Sequence, residues 1–249
     1  MYKAFKILSH QGRQYIKDVR NAVLGKPFRG RPVISNETVS PDKLLRVCPF
    51  DAISVDPVSI DLGKCGFCGE CAFAYPDKFS FTQDYKLATN DRSKLIITEG
   101  EDKPVEFNYS AIDKNIQKLF RSSFKLRQVS AAGDNSAEME LNAAGNVNFD
   151  IGRFGISFVS SPRHADGIVI TGPVSENMAE PLQICYDAIP APKTVILCGV
   201  DAISGGLFKN NTAIKREFLD NIKVDLYIPG NPPHPLTVIN GILDFLGRN

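Results

Sequence analysis

A chain of 249 residues with 43% hydrophobic content carries enough apolar side chain for one large core or two smaller ones. Its formal net charge of +1 argues against the strongly basic surface that sequence-independent nucleic-acid binding needs, so no nucleic-acid partner is expected. No run of 18 apolar residues and no apolar signal core is present, and four of the six cysteines crowd between residues 48 and 71, which favours metal ligation in a reduced, cytoplasmic setting over a disulfide framework.

Residues 1–35 form a basic amphipathic helix and arm. In "AFKILSHQGRQYIKDVRNAVL" the residues Phe5, Leu8, Tyr15, Ile16, Val19 and Val23 follow one helical face, until "GKPFRGRP" ends any helix. Residues 3–31 hold eight Lys and Arg against one acid, Asp18. Such a helix either docks on protein, its own or a partner subunit's, or lies at a membrane surface. Residues 36–100 are turn-rich and lack long periodic runs, which suits a small fold organised around a metal cluster. A polar linker, 101–126, includes a helix expected from about Ser110 to Phe120.

In the last segment, 127–249, short apolar strands alternate with helices from about Gly155 onward: "ADGIVITG", "ENMAEPLQICYDAI", "KTVILCG", a polar helix near "NTAIKREFLDNI", "VDLYIPG" and "LTVINGILDFLG". This alternation predicts an α/β fold, a doubly wound and mostly parallel sheet following the smaller cysteine-bearing domain. Ligands of such sheets sit beyond the carboxyl ends of the strands, so "ITGPVSE", "LCGVDAISGG" and "IPGNPPHP" are the turns to watch.

The stretch "VCPFDAISVDPVSIDLGKCGFCGEC" places Cys48 before Pro49 and then Cys65, Cys68 and Cys71 at C-x2-C-x2-C spacing. Three thiolates at that spacing can wrap one [4Fe-4S] cluster while a fourth arrives from a distant Cys-Pro turn, and the part is accordingly ferredoxin-like. A structural zinc site is the alternative, although zinc sites more often pair two C-x2-C units. The template would place a second cluster's ligands at Thr38, Pro41, Leu44 and Tyr75, none of which is cysteine. Cys185 and Cys198 fall inside a helix and a strand and read as core residues.

Three motifs, "FGISFVSSPRHADGIVITGPV", "PAPKTVILCGVDAISGGLF" and "VDLYIPGNPPHP", occur in order in the last segment. With them the segment resembles the small, electron-transferring subunit of group 4 membrane-bound [NiFe] hydrogenases and the complex I subunit that carries the terminal [4Fe-4S] cluster. The cysteine-bearing part is similar to the companion iron–sulfur subunit, here fused into one chain. The resemblance implies four cysteine ligands for a terminal cluster, at positions where this chain has Asp134, Ala137, Asp201 and Asn231. Oxygen donors suit hard cations rather than iron–sulfide, so the pocket is expected to be hydrogen-bonded and watered, with a small Mg2+ or Ca2+ site as the alternative.

The resemblance further implies a peripheral place on the cytoplasmic side of the inner membrane. The partners it implies are a hydrogenase-like large subunit, other subunits of a membrane complex, and ferredoxin as a possible donor. Arg163, His164 and Asp166 match a family motif but read as structural, and no catalytic residue is assigned. His234 and Leu236 stand where the family commonly has Arg and Glu. With one [4Fe-4S] cluster and a degenerate second site, the expected role is architectural or coupling; the alternative is an active electron relay through the remaining cluster.

Overall fold

The structure, a computed structural model, describes residues 2–12 and 14–248. Helix α1 (Tyr2–Gln11) is followed by an irregular arm to residue 31. The expected face through Val23 is therefore cut short: Gly12 turns left-handed at φ 61° and its N–H donates to Leu8 O, closing the helix. Val19 instead enters the core, 3% exposed.

The cysteine-bearing part comprises β1 (Pro32–Ile34), α2 (Pro41–Val47), β2 (Ile53–Val55), β3 (Val58–Asp61), α3 (Glu70–Ala74), β4 (Phe79–Phe81) and β5 (Ile96–Thr98). Strands β1 and β4 pair antiparallel, and β2, β3 and β5 form a three-stranded antiparallel sheet. The linker helix α4 spans Lys114–Leu119, with Asp113 capping its start by accepting from Asn115 N–H.

The last segment holds β6 (Phe124–Ser130), α5 (Ser136–Ala144), β7 (Ile156–Phe158), β8 (Gly167–Thr171), α6 (Glu176–Asp187), β9 (Thr194–Cys198), α7 (Val200–Ser204), α8 (Glu217–Asp220), β10 (Leu226–Ile228) and α9 (Pro235–Phe245). Its five strands run in the order β10-β9-β8-β6-β7 and every pairing is parallel. The chain winds from β6 outward to β7, then crosses back to β8, β9 and β10, so the order reverses beside β6. The carboxyl ends of β6 and β8 flank that switch point, where α/β sheets open a crevice.

Period-2 alternation divides the core into two layers. Ile168, Ile170, Val195 and Leu197 face the cysteine-bearing part, in one apolar cluster with Ile60, Leu62 and Leu95. Val169, Ile196 and Leu126 face the other way, against α9 and Val19 of the arm. Helix α9 is buried along nearly its whole length, which its apolar sequence requires; Pro235 opens it and His234 Nδ1 accepts the Leu236 N–H as its cap.

The helix expected near "NTAIKREFLDNI" shrinks to the single turn α8. Residues ahead of it are pulled into extended contact, with Lys215 N–H donating to Val174 O and Ser175 bridging Ile214. Arg216 points inward instead of solvating a helix face, donating to the carbonyls of Pro173, Asp201, Ala202 and Ile203.

Candidate functional site

Two sites lie where the sequence placed its motifs. The first is the cysteine loop. Helix α2 delivers Cys48 at its C-cap, and the β2–β3 hairpin leads into the turn that carries Cys65 and Cys68, with Cys71 in α3. Asp61 anchors that turn: its side chain accepts from Gly63 N–H at 2.8 Å, its carbonyl accepts from Lys64 and Cys65 N–H, and Arg92 forks onto its carboxylate at 2.8 and 2.6 Å.

Cys48, Cys65, Cys68 and Cys71 all line one small cavity, with walls of Val47, Ala52, Ile53, Ile60 and Phe81. Backbone donors already face the sulfurs, Ala52 N–H to Cys48 Sγ at 3.3 Å and Phe67 N–H to Cys65 Sγ at 3.4 Å. Phe67 adopts φ 51°, a left-handed conformation uncommon for a bulky side chain, and its carbonyl accepts from Arg29 Nε at 2.6 Å. Gly66 leaves room for the Phe50 ring, since a Cβ there would lie 2.1 Å from Phe50 Cε2. Cys65 and Cys71 are buried, Cys48 is partly so and Cys68 is exposed. Burial pushes the Cys65 thiol up to about 12 and that of Cys71 to about 11.

Soft sulfur donors, an apolar wall and N–H groups aimed at sulfur are the environment that iron–sulfur ligation uses. Among the described residues no three His, Cys, Asp or Glu side chains converge closely enough to hold a single metal ion.

The second site is a small pocket at the carboxyl ends of the parallel strands. Asp134 enters from the β6–α5 turn, Ala137 from the first turn of α5, Gly172 from the turn after β8, Asp201 from the first turn of α7 after β9, and Asn231 from the turn after β10. The four positions that the resemblance assigned to a terminal cluster thus meet in one place, with no cysteine among them. The Asp134 carboxylate accepts from Ser136 N–H and Oγ–H at 2.9 and 2.6 Å, which holds its pKa below the ordinary value. Asp201 behaves oppositely: burial, then the Asp134 and Glu138 charges, raise it to about 6, against the opposing effect of Arg216.

Sequence reasoning missed Glu138 and Arg216. Glu138, 5% exposed, lines the pocket and accepts from Thr171 Oγ1–H at 2.6 Å. Its signal was a carboxylate in the first turn of a helix opening at a strand end. Cys198 is fully buried as expected, yet it also lines the pocket. Asp166 serves the sheet by accepting from Lys125 N–H, and Cys185 lies half-buried on α6. His234 packs edge-on against Phe28 and Phe149, so this turn contacts the N-terminal arm.

The sites adjoin. A further cleft is lined by Arg29 and Phe67 on the cysteine side and by Gly230, Asn231 and Pro232 on the other.

Comparison with known proteins locates a likeness in the parallel-sheet half. The chain is 45% identical over 106 residues to an NADH-quinone oxidoreductase subunit of Thermobifida fusca, covering 42% of this chain and 57% of the relative. It is 43% identical over 106 residues to the same subunit of a Nocardioides species, with the same coverage. The chain thus spans 57% of the length of these curated relatives. A chain in the structure of the membrane-bound sulfane sulfur reductase, an archaeal respiratory membrane complex, is 28% identical with a TM-score of 0.47, covering 53% of this chain and 73% of that one. Residues 135–245, from the second pocket's first loop to the end of α9, match the family model described as NADH ubiquinone oxidoreductase, 20 Kd subunit, so this half of the chain is similar to that oxidoreductase subunit.

Proposed function

We propose that this chain is an iron–sulfur subunit of a membrane complex of the complex I or group 4 [NiFe] hydrogenase type. In this reading Cys48, Cys65, Cys68 and Cys71 hold one [4Fe-4S] cluster, and the pocket at Asp134, Ala137, Asp201 and Asn231 is the degenerate terminal site. When bound, the cluster supplies one-electron transfer. The chain's own residues exclude water with Phe50, Phe81 and Ile53, direct N–H groups at sulfur, and fix the loop through Asp61 and Arg92.

The observation that carries the reading is the contrast between the neighbouring sites: four thiols around one cavity, and none on the four positions of the other. Its consequence is an interrupted electron route and a mainly architectural or coupling role. Such a subunit sits peripherally on the cytoplasmic side of the inner membrane, against a hydrogenase-like large subunit; no described helix is long and apolar enough to cross a membrane.

One observation favours a second reading, an active relay from ferredoxin or another donor through the remaining cluster. Cys68 is exposed, and Phe73, 88% exposed, stands two residues beyond Cys71, as a docking edge would require.

Iron and acid-labile sulfide analysis with EPR of the reduced, anaerobically purified protein tests the proposal. About four irons per chain and one cluster signal, both lost in Cys68→Ser, are expected. About eight irons, or zinc in place of iron, would overturn it. Rapid reversible reduction by a ferredoxin would favour the relay over the architectural role.

A further inference from the structure

We propose that α1 is a surface-lying membrane helix that takes an anionic lipid headgroup layer as its partner. Every residue from Tyr2 to Gln11 is exposed, and α1 buries none of its own side chains. Tyr2, Phe5, Ile7 and Leu8 are 73, 65, 56 and 64% exposed, an apolar surface that none of the described residues covers. An isolated helix shorter than about 12 residues is marginal in water, so a helix of 10 residues needs an apolar surface to lie on.

Charge selects that surface. At about 100° per residue, Lys3, Lys6 and His10 fall within a sector of about 60°, Ala4, Phe5 and Leu8 lie opposite, and Tyr2 and Ile7 flank them. No acid occurs before Asp18. A cationic stripe backing an aromatic and aliphatic face matches the headgroup boundary of an anionic bilayer, where the apolar face sinks in and the cations remain among phosphates. Lys6 Nζ lies 4.8 Å from the Tyr2 ring centroid, so the cation already bends toward the flank of the apolar face.

The arm behind the helix is fixed to the body. Ile16 N–H donates to Asn148 O, Arg153 donates to Ile16 O, and Arg20 donates to Asn240, Asp244 and Arg248 O. The inference rests on α1 alone, so its failure would leave the reading of the cysteine site untouched.

The chain contains no tryptophan, which makes Phe5→Trp a single reporter. With the full chain, vesicles of equal parts phosphatidylcholine and phosphatidylglycerol should blue-shift its emission and carry the protein into the pellet. Phosphatidylcholine alone should do neither. Adding Lys3→Glu and Lys6→Glu should lower partitioning by at least about twentyfold, and Leu8→Asp should abolish the blue shift, while iron content stays unchanged because α1 buries none of its own residues. No blue shift on anionic vesicles would overturn the proposal. So would equal binding to neutral vesicles, equal binding by the Lys variants, or a blue shift that follows protein concentration without lipid, which would make α1 an interface between copies of the chain.

Discussion

Replacing Asp201 by Asn tests whether the second pocket is the charged, half-buried site described. The folded-state carboxyl is raised from 3.8 to about 6, first by burial and then by Asp134 and Glu138. A raised carboxylate stabilises the fold fully below its unfolded pKa and loses that contribution as pH rises through its folded pKa. The loss therefore falls between about pH 4 and about pH 7. Raising a carboxyl from 3.8 to about 6 corresponds to at most about 3 kcal/mol, and partial solvent access reduces this to about 1 to 1.5 kcal/mol. Asn keeps the shape and cannot ionise. Asp201→Asn should therefore match the parent near pH 4 and exceed it by about 1 kcal/mol near pH 7.5, or about 2 to 4 °C in Tm for a chain of this size. Anaerobic thermal melts of both proteins at the two pH values read the difference directly, because contributions common to both cancel. A gap that stays constant with pH, or that widens toward acid, would show that Asp201 is not the strained carboxylate of this pocket.

Gly66→Ala should place a methyl group against the Phe50 ring, cost about 1 to 3 kcal/mol and reduce bound iron, with Phe50→Leu in the same chain restoring it; full iron in the single variant would refute the packing argument. Converting Asp134, Ala137, Asp201 and Asn231 together to Cys should raise reconstituted iron from about four to about eight per chain, with a second EPR signal. Iron unchanged in a folded quadruple variant would mean that the pocket lacks cluster geometry.

The elements that were legible in the sequence are those whose apolar period is uninterrupted: β8, β9, β10, α6 and α9 stand where the alternation put them. Strand β6 was not, because in "FKLRQVS" Lys125, Arg127 and Gln128 break the apolar run of a buried parallel strand. The N-terminal helix was read too long because its apolar spacing continues past Gly12. Tyr85 OH donates to Val19 O and Asn240 Nδ2 donates to the same oxygen, so tertiary contacts outweigh the local period. The four cysteines could be grouped from spacing alone. The meeting of Asp134, Asp201 and Asn231 could not, since they stand after three different strands and only the sheet order brings them together.

The two sites differ in what holds their loops, and this difference bears on which one can do without metal. Around the second pocket, Gly199 N–H donates to Ile228 O, Val200 N–H to Gly230 O, and Arg216 ties down four carbonyls, so the strand ends are fixed by the protein itself. The loop from Cys65 to Gly69 has fewer such ties. It is pinned at its entry by Asp61 and at Phe67 O by Arg29, and two of its surrounding thiols lie in an environment that penalises thiolate. There the cationic core of a bound cluster would stabilise the thiolates, and its bonds to them would cross-link the loop. Helix α7 joins the two arrangements: Asp201 faces the pocket, while Ile203 packs beside Gly63 and Lys209, just beyond, pairs with Asp51 of the Cys48 turn at 2.8 Å. A change of charge at Asp201 therefore acts on a helix that also braces the cysteine loop, which gives the second pocket a physical means of influencing the cysteine site.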